Sequence, residues 1–189
     1  MQANMTNIIV FVNYTNADNT VISGYAISIM YIGMSIGSIL LGPLTDKYEP
    51  KRILSLSLFL TAVGCAIMLI FSTNTSVIVL ALSLGILGFG LGGNASIFMK
   101  VALFNLEPKN AGSMTGVYGL FRDLTAPFGV AIFVPLFTNG ITNYMSSSTV
   151  ISSSEAAVKS IHTLSVIEIL MVLAGIILVQ FLPKIHSKV

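Results

Sequence analysis

Residues 53–99 read ILSLSLFLTAVGCAIMLIFSTNTSVIVLALSLGILGFGLGGNASIFM, without one charged side chain. A bilayer's hydrocarbon core is about 30 Å thick and a helix rises about 1.5 Å per residue, so about 20 apolar residues cross it. The stretch is too long for one crossing. Its polar break, Ser72-Thr73-Asn74-Thr75-Ser76, divides it, which predicts spanning helices at 53–71 and 77–99. Working outward, the same criterion places further spans at 21–41, 114–137 and 163–182. Composition agrees: 54% of the chain is hydrophobic and only 8% charged, against about 25% charged in an average soluble domain. With a mean hydropathy of +0.91, too few polar groups are present to cover a water-facing surface, and the bilayer is the solvent that fits. The expected fold class is all-α: a polytopic membrane helix bundle, one transmembrane domain over residues 1–189.

Lys and Arg set the expected orientation. Lys47, Lys51 and Arg52 fall between the first and second spans, Lys100 and Lys109 between the third and fourth, and Lys184 and Lys188 after the fifth. If every span crosses once, these seven share a side, predicted to be cytoplasmic, and the opposite loops hold only Lys159. Residues 138–162, with Ser146-Ser147-Ser148-Thr149 and Ser152-Ser153-Ser154, are expected to form an external polar loop carrying a short interfacial helix around Glu155 to Lys159. Met1 to Val12 lacks the basic start of a signal peptide and is too short to span. It reads as a partial N-terminal span or as an interfacial segment. The net charge of +2 is too small to suggest nucleic acid, and Cys65 is the single cysteine, so no intrachain disulfide forms.

Small residues cluster in the spans. Gly33 and Gly37 lie four apart. Gly85, Gly88, Gly90, Gly92 and Gly93 crowd the third span, and Gly112, Gly116 and Gly119 open the fourth. Helices in lipid associate through close approach at small residues, so the glycines admit two readings, tight packing or a bend.

The turn after the first span reads Gly42-Pro43-Leu44-Thr45-Asp46-Lys47-Tyr48-Glu49-Pro50-Lys51-Arg52. The spacing of Gly42, Asp46, Lys47 and the pair Lys51 and Arg52 resembles the short interspan motif of the major facilitator superfamily, with Glu49 where a second glycine is usual. The glycine rhythm of Leu84 to Gly93, followed by Ala111-Gly112-Ser113-Met114-Thr115-Gly116, Arg122 and Gly129-Val130-Ala131, is similar to late spans of the fourteen-span drug/proton antiporter branch. The resemblance covers nearly the whole chain and is always to the C-terminal half. It implies one half of a major facilitator fold, with five full spans and a partial one. It further implies a C-terminal half or fragment of a proton-coupled drug efflux antiporter working by alternating access in a bacterial cytoplasmic membrane. Its partners would be the lipid bilayer, the missing N-terminal half or a second copy, protons, and small amphipathic or cationic substrates. No cofactor or metal is implied. The motif residues Gly42, Asp46, Lys47, Lys51 and Arg52 would gate the cytoplasmic face, the Asp46 carboxylate meeting a helix N-terminus or nearby bases.

Arg122 and Asp123 stand out on physics alone, because charges near the middle of a span cost about 2.5–3.5 kcal/mol on insertion scales. Adjacent helical residues point about 100° apart, so separate partners are expected. Asp123 shares a stripe with Gly116 and Gly119 and would face a close neighbouring helix. Arg122 shares one with Tyr118 and Thr125 and would line a cavity. Glu168, in the last span, is protonatable, which suggests a relay or a structural acid, and Asn94 suits a ligand or a helix neighbour. Arg122, Asp123, Asn94, Tyr118 and Glu168 are therefore the substrate or coupling candidates. No paired acids, metal-ligand spacing or activated nucleophile is visible, so an enzyme is not expected. A non-transporting membrane subunit or an inactive remnant is the alternative reading.

Overall fold

A computed structural model describes residues 2–15, 21–103, 111–147 and 152–181. Within them the chain forms six helices and no strand: α1 (Gln2–Thr15), α2 (Val21–Lys47), α3 (Pro50–Met68), α4 (Val77–Leu103), α5 (Ala111–Ser147) and α6 (Ser153–Gln180). The last five are each long and apolar enough to cross a membrane. The protein is a multi-pass membrane helix bundle, as the uncharged stretch and its polar break predict. The break at 72–76 forms the turn between α3 and α4, closed by hydrogen bonds between Ser72 and Thr75. Pro50 begins α3, where its missing N–H leaves no helical bond unmade.

Glycine decides how closely the helices approach. In α4, a Cβ on Gly88 would overlap the Met30 carbonyl of α2, and one on Gly92 the Met34 carbonyl. Gly33 and Gly37 of α2 lie as close to the backbone at Gly85 and Phe89. On its other side, α4 presses Gly90 onto Thr61 of α3, and the Ser57 hydroxyl donates to the Gly90 carbonyl at 2.8 Å. Of the two readings the sequence left open, tight packing accounts for Gly88, Gly90, Gly92 and Gly93.

Helix α1 is packed into the bundle against α2, α5 and α6. Its Ile8, Phe11 and Val12 are buried, and Phe11 stacks on Phe71 with centroids 5.4 Å apart. This burial suits a helix packed among the spans and not a segment lying on the membrane surface.

The expected loop over 138–162 differs most from the structure. All of its described residues but Ser152 are helical, since α5 runs on to Ser147 and α6 begins at Ser153. The polar residues there belong largely to the ends of two helices. The Thr138, Thr142 and Ser146 hydroxyls return hydrogen bonds to carbonyls one turn back. Ser152 and Glu155 form a reciprocal capping box that satisfies the first N–H groups of α6. Gly140 meets Ser160, whose hydroxyl donates to the Phe137 carbonyl at 2.6 Å, so the two helices stay packed.

One end of the bundle gathers Lys47, Lys51, Arg52 and Lys100, and the other carries Lys159. Lys109, Lys184, Lys188 and the 104–110 connection lie outside the described residues.

Candidate functional site

A cavity of about 610 Å³ opens between α5 and the packed helices α1, α3, α4 and α6. It exists because α5 leans on α6 and α1 but touches α4 little. All five substrate or coupling candidates line it: Asn94 from α4, Tyr118, Arg122 and Asp123 from α5, and Glu168 from α6.

Their pairing departs from expectation. Arg122 and Asp123 bind each other, Nε to Oδ1 at 3.0 Å, instead of finding separate helix partners. The long arginine side chain reaches round the 100° step that separates them. Both stay largely exposed, at 59% and 71% of their side chains. The close neighbour expected for the Asp123 stripe is not found among the described residues either. Gly112, Gly116, Gly119 and Gly129 have nothing within 4 Å of a Cβ among the described residues. The local backbone is also loosened. Pro127 supplies no N–H to the Asp123 carbonyl, and the Thr125 hydroxyl donates to the Arg122 carbonyl at 2.6 Å.

The opposite wall is buried. Asn94 Nδ2 donates to Thr61 Oγ1 at 3.1 Å, and its Oδ1 has no partner among the described residues. Glu168 is 8% exposed, accepts from the Cys65 thiol at 3.5 Å and from the Asn4 side chain, and has no ion-pair partner among the described residues. A buried carboxylate is costly unless it is paired or hydrogen-bonded, so this position suits a cation or a hydrogen-bond donor placed beside it. Leu91, Phe98, Phe133 and Met171 supply apolar surface between these groups. The arrangement suits a guest with an apolar body and a hydrogen-bond donor or positive charge.

Sequence reasoning passed over Thr61, Asn4 and the apolar lining. Ser57, Thr61 and Cys65 recur every four residues, a polar stripe on an apolar span that marks the face of α3 turned to α4 and α6. A shallower depression of about 410 Å³, lined by Tyr31, Ser35 and Ser38 of α2, shares Ala95 with the cavity. The open face therefore continues from α5 across α4 to α2.

The interspan motif sits at the basic end. Asp46 is ion-paired with Lys100 at the C-terminal end of α4, a base and not a helix N-terminus. Lys51 donates to the Gln180 carbonyl closing α6, a favourable place for a cation at a helix C-terminus. Arg52 pairs with Glu49 at 3.4 Å. A Cβ on Gly42 would touch Ser96 at 3.4 Å, and Lys47 is exposed. The motif thus ties α2 to α4 and α3 to α6.

A polytopic bundle with a cavity between its spans is the architecture of an integral membrane protein. The chain belongs to the Major Facilitator Superfamily, a family of transporters, which matches residues 1–185. It is 26% identical over 139 residues to Multidrug resistance protein 3 of Bacillus subtilis (strain 168), an alignment covering 74% of this chain and 27% of that protein. It is 31% identical over 104 residues to the MFS-type transporter YvkA of the same organism, covering 55% of this chain and 23% of that one. The matched regions span about a quarter of these curated relatives. No solved structure matches the chain.

Proposed function

We propose that this chain forms one helical half of a membrane transporter that exports small amphipathic, cationic compounds in exchange for protons. The observation that carries the reading is the cavity, in which the buried Glu168 has no cation partner among the described residues and faces the open α5 wall. A carboxyl in that setting accepts a proton or a cationic guest. Competition between the two would couple their movements. The relative named for multidrug resistance supports the substrate class. Alternating access needs two bundles rocking about a midplane site. The second bundle would cover α5, supplied by a further half or a second copy, and would shield Arg122 and Asp123 from lipid.

The test is reconstitution in liposomes with an imposed proton gradient, following efflux of a cationic dye. The chain is assayed alone and with an N-terminal half from a full-length relative. Efflux that requires both bundles and the gradient is expected. Efflux by the chain alone would point to a self-sufficient dimer, and none in either case to a non-transporting subunit.

A further inference from the structure

A second groove lies between α5 and α6, nearer than the cavity to the Ser147 end of α5 and the Ser153 end of α6. It encloses about 280 Å³, lined by Leu136, Gly140, Asn143, Tyr144, Ser160, Thr163, Leu164 and Ile167. Its character changes along its length. Leu136 and Tyr144 stand eight residues apart on α5, about 12 Å along the axis. At the inner end Leu136 and Ile167 are both aliphatic. At the outer end the Tyr144 hydroxyl and Thr163 Oγ1 share a hydrogen bond at 3.1 Å, with Asn143 beside them. Lys159, one turn before Thr163, holds its ammonium 5.9 Å from the Tyr144 ring centroid. It has no ion-pair partner among the described residues.

A groove that is apolar in depth and polar at its mouth, with a cation above, repeats the profile of a phospholipid from acyl chain to phosphate. Leu136 and Thr163 are exposed on its rim, so it opens to the surroundings. The geometry points to a retained-lipid site. We propose that this groove holds one anionic phospholipid of the leaflet on the Lys159 side, its phosphate on Lys159 and an acyl chain along Leu136 and Ile167. Gly140 keeps the floor open and low, since it lies against Ser160 where a larger residue would part the helices.

The chain has no tryptophan, which makes a single-tryptophan reporter clean. Leu136→Trp places one in the groove. Leu170→Trp places one on an exposed part of α6 outside it, as a reporter of bulk lipid. Both are reconstituted in bilayers containing a rising fraction of brominated phosphatidylglycerol or phosphatidylcholine. Quenching at position 136 should be half complete at an about two- to fivefold lower fraction of the anionic lipid than at 170, the range an exposed ion pair supplies. Lys159→Gln should bring the two curves together, and phosphatidylcholine should show no difference between them. Equal curves at both reporters, or a difference that survives Lys159→Gln, would overturn the proposal. If a reporter variant fails to fold, native mass spectrometry of the unmodified chain and of Lys159→Gln decides. One retained anionic phospholipid, lost in the variant, is expected, and equal retention refutes the site.

Discussion

Glu168 and the Arg122–Asp123 pair divide the electrostatics of the cavity between them. The pair is neutral as a unit, while the acid opposite is buried and has no base beside it among the described residues. If Glu168 exchanges a proton for a cationic guest, binding of tetraphenylphosphonium should strengthen as pH rises, because proton loss vacates the carboxylate. Glu168→Gln should abolish that dependence, measured by equilibrium dialysis on the reconstituted protein. Persistence of the full pH dependence would transfer the role to Asp123, the other carboxyl of the cavity. Arg122→Ala leaves Asp123 unpaired. It should reduce dye efflux by the two-bundle assembly while co-purification of the two bundles is unchanged. The choice of these residues was legible in the sequence, since a charge inside an apolar span is conspicuous wherever it falls. Their pairing was not. It depends on the reach of the Arg122 side chain and on the gap between α5 and α4, which no helical-wheel argument contains.

Among the helices, glycines of the same kind have opposite roles. Gly88 lies against a carbonyl of α2, whereas Gly116 faces open space. Gly88→Val should destabilise the chain by about 1–3 kcal/mol through overpacking. Gly116→Ala should stay within about 0.5 kcal/mol, as for a surface change. Unfolding in mixed detergent micelles, followed by helical circular dichroism, compares the two. Equal losses would mean that α5 packs as tightly as α4. Ser152→Ala, which removes the cap of α6, should cost about 1 kcal/mol in the same assay. Five spans and the turn at 72–76 could be read directly, because length and the absence of charge suffice for a helix in lipid. The ends of α5 and α6 could not. Thr138, Asn139, Thr142 and Asn143 are equally compatible with a loop and with a helix that has left the hydrocarbon. Only the contacts of Gly140 with Ser160 and the Ser152 cap decide between them.

For the molecule as a whole, sidedness is the first thing to measure. Lys47, Lys51, Arg52 and Lys100 share one end, and the positive-inside rule assigns that end to the cytoplasm. In a Cys65→Ala background, a cysteine at Tyr48 should react with an impermeant thiol reagent only in inverted vesicles. One at Asn74 should react only in intact cells. The reverse pattern would invert the topology and move the lipid groove to the cytoplasmic leaflet.

Helix α5 has a further consequence. Its 37 residues measure about 55 Å, against a hydrocarbon thickness of about 30 Å. Even tilted by 40°, the upper end of the usual range, it places only about 26 residues in hydrocarbon at 1.5 Å each. The remainder must stand clear of the membrane. Its inclination therefore responds to hydrophobic mismatch: a thinner bilayer lays the helix over and a thicker one draws it upright. The same helix forms one wall of the cavity, so acyl-chain length becomes a mechanical input to the width of the site.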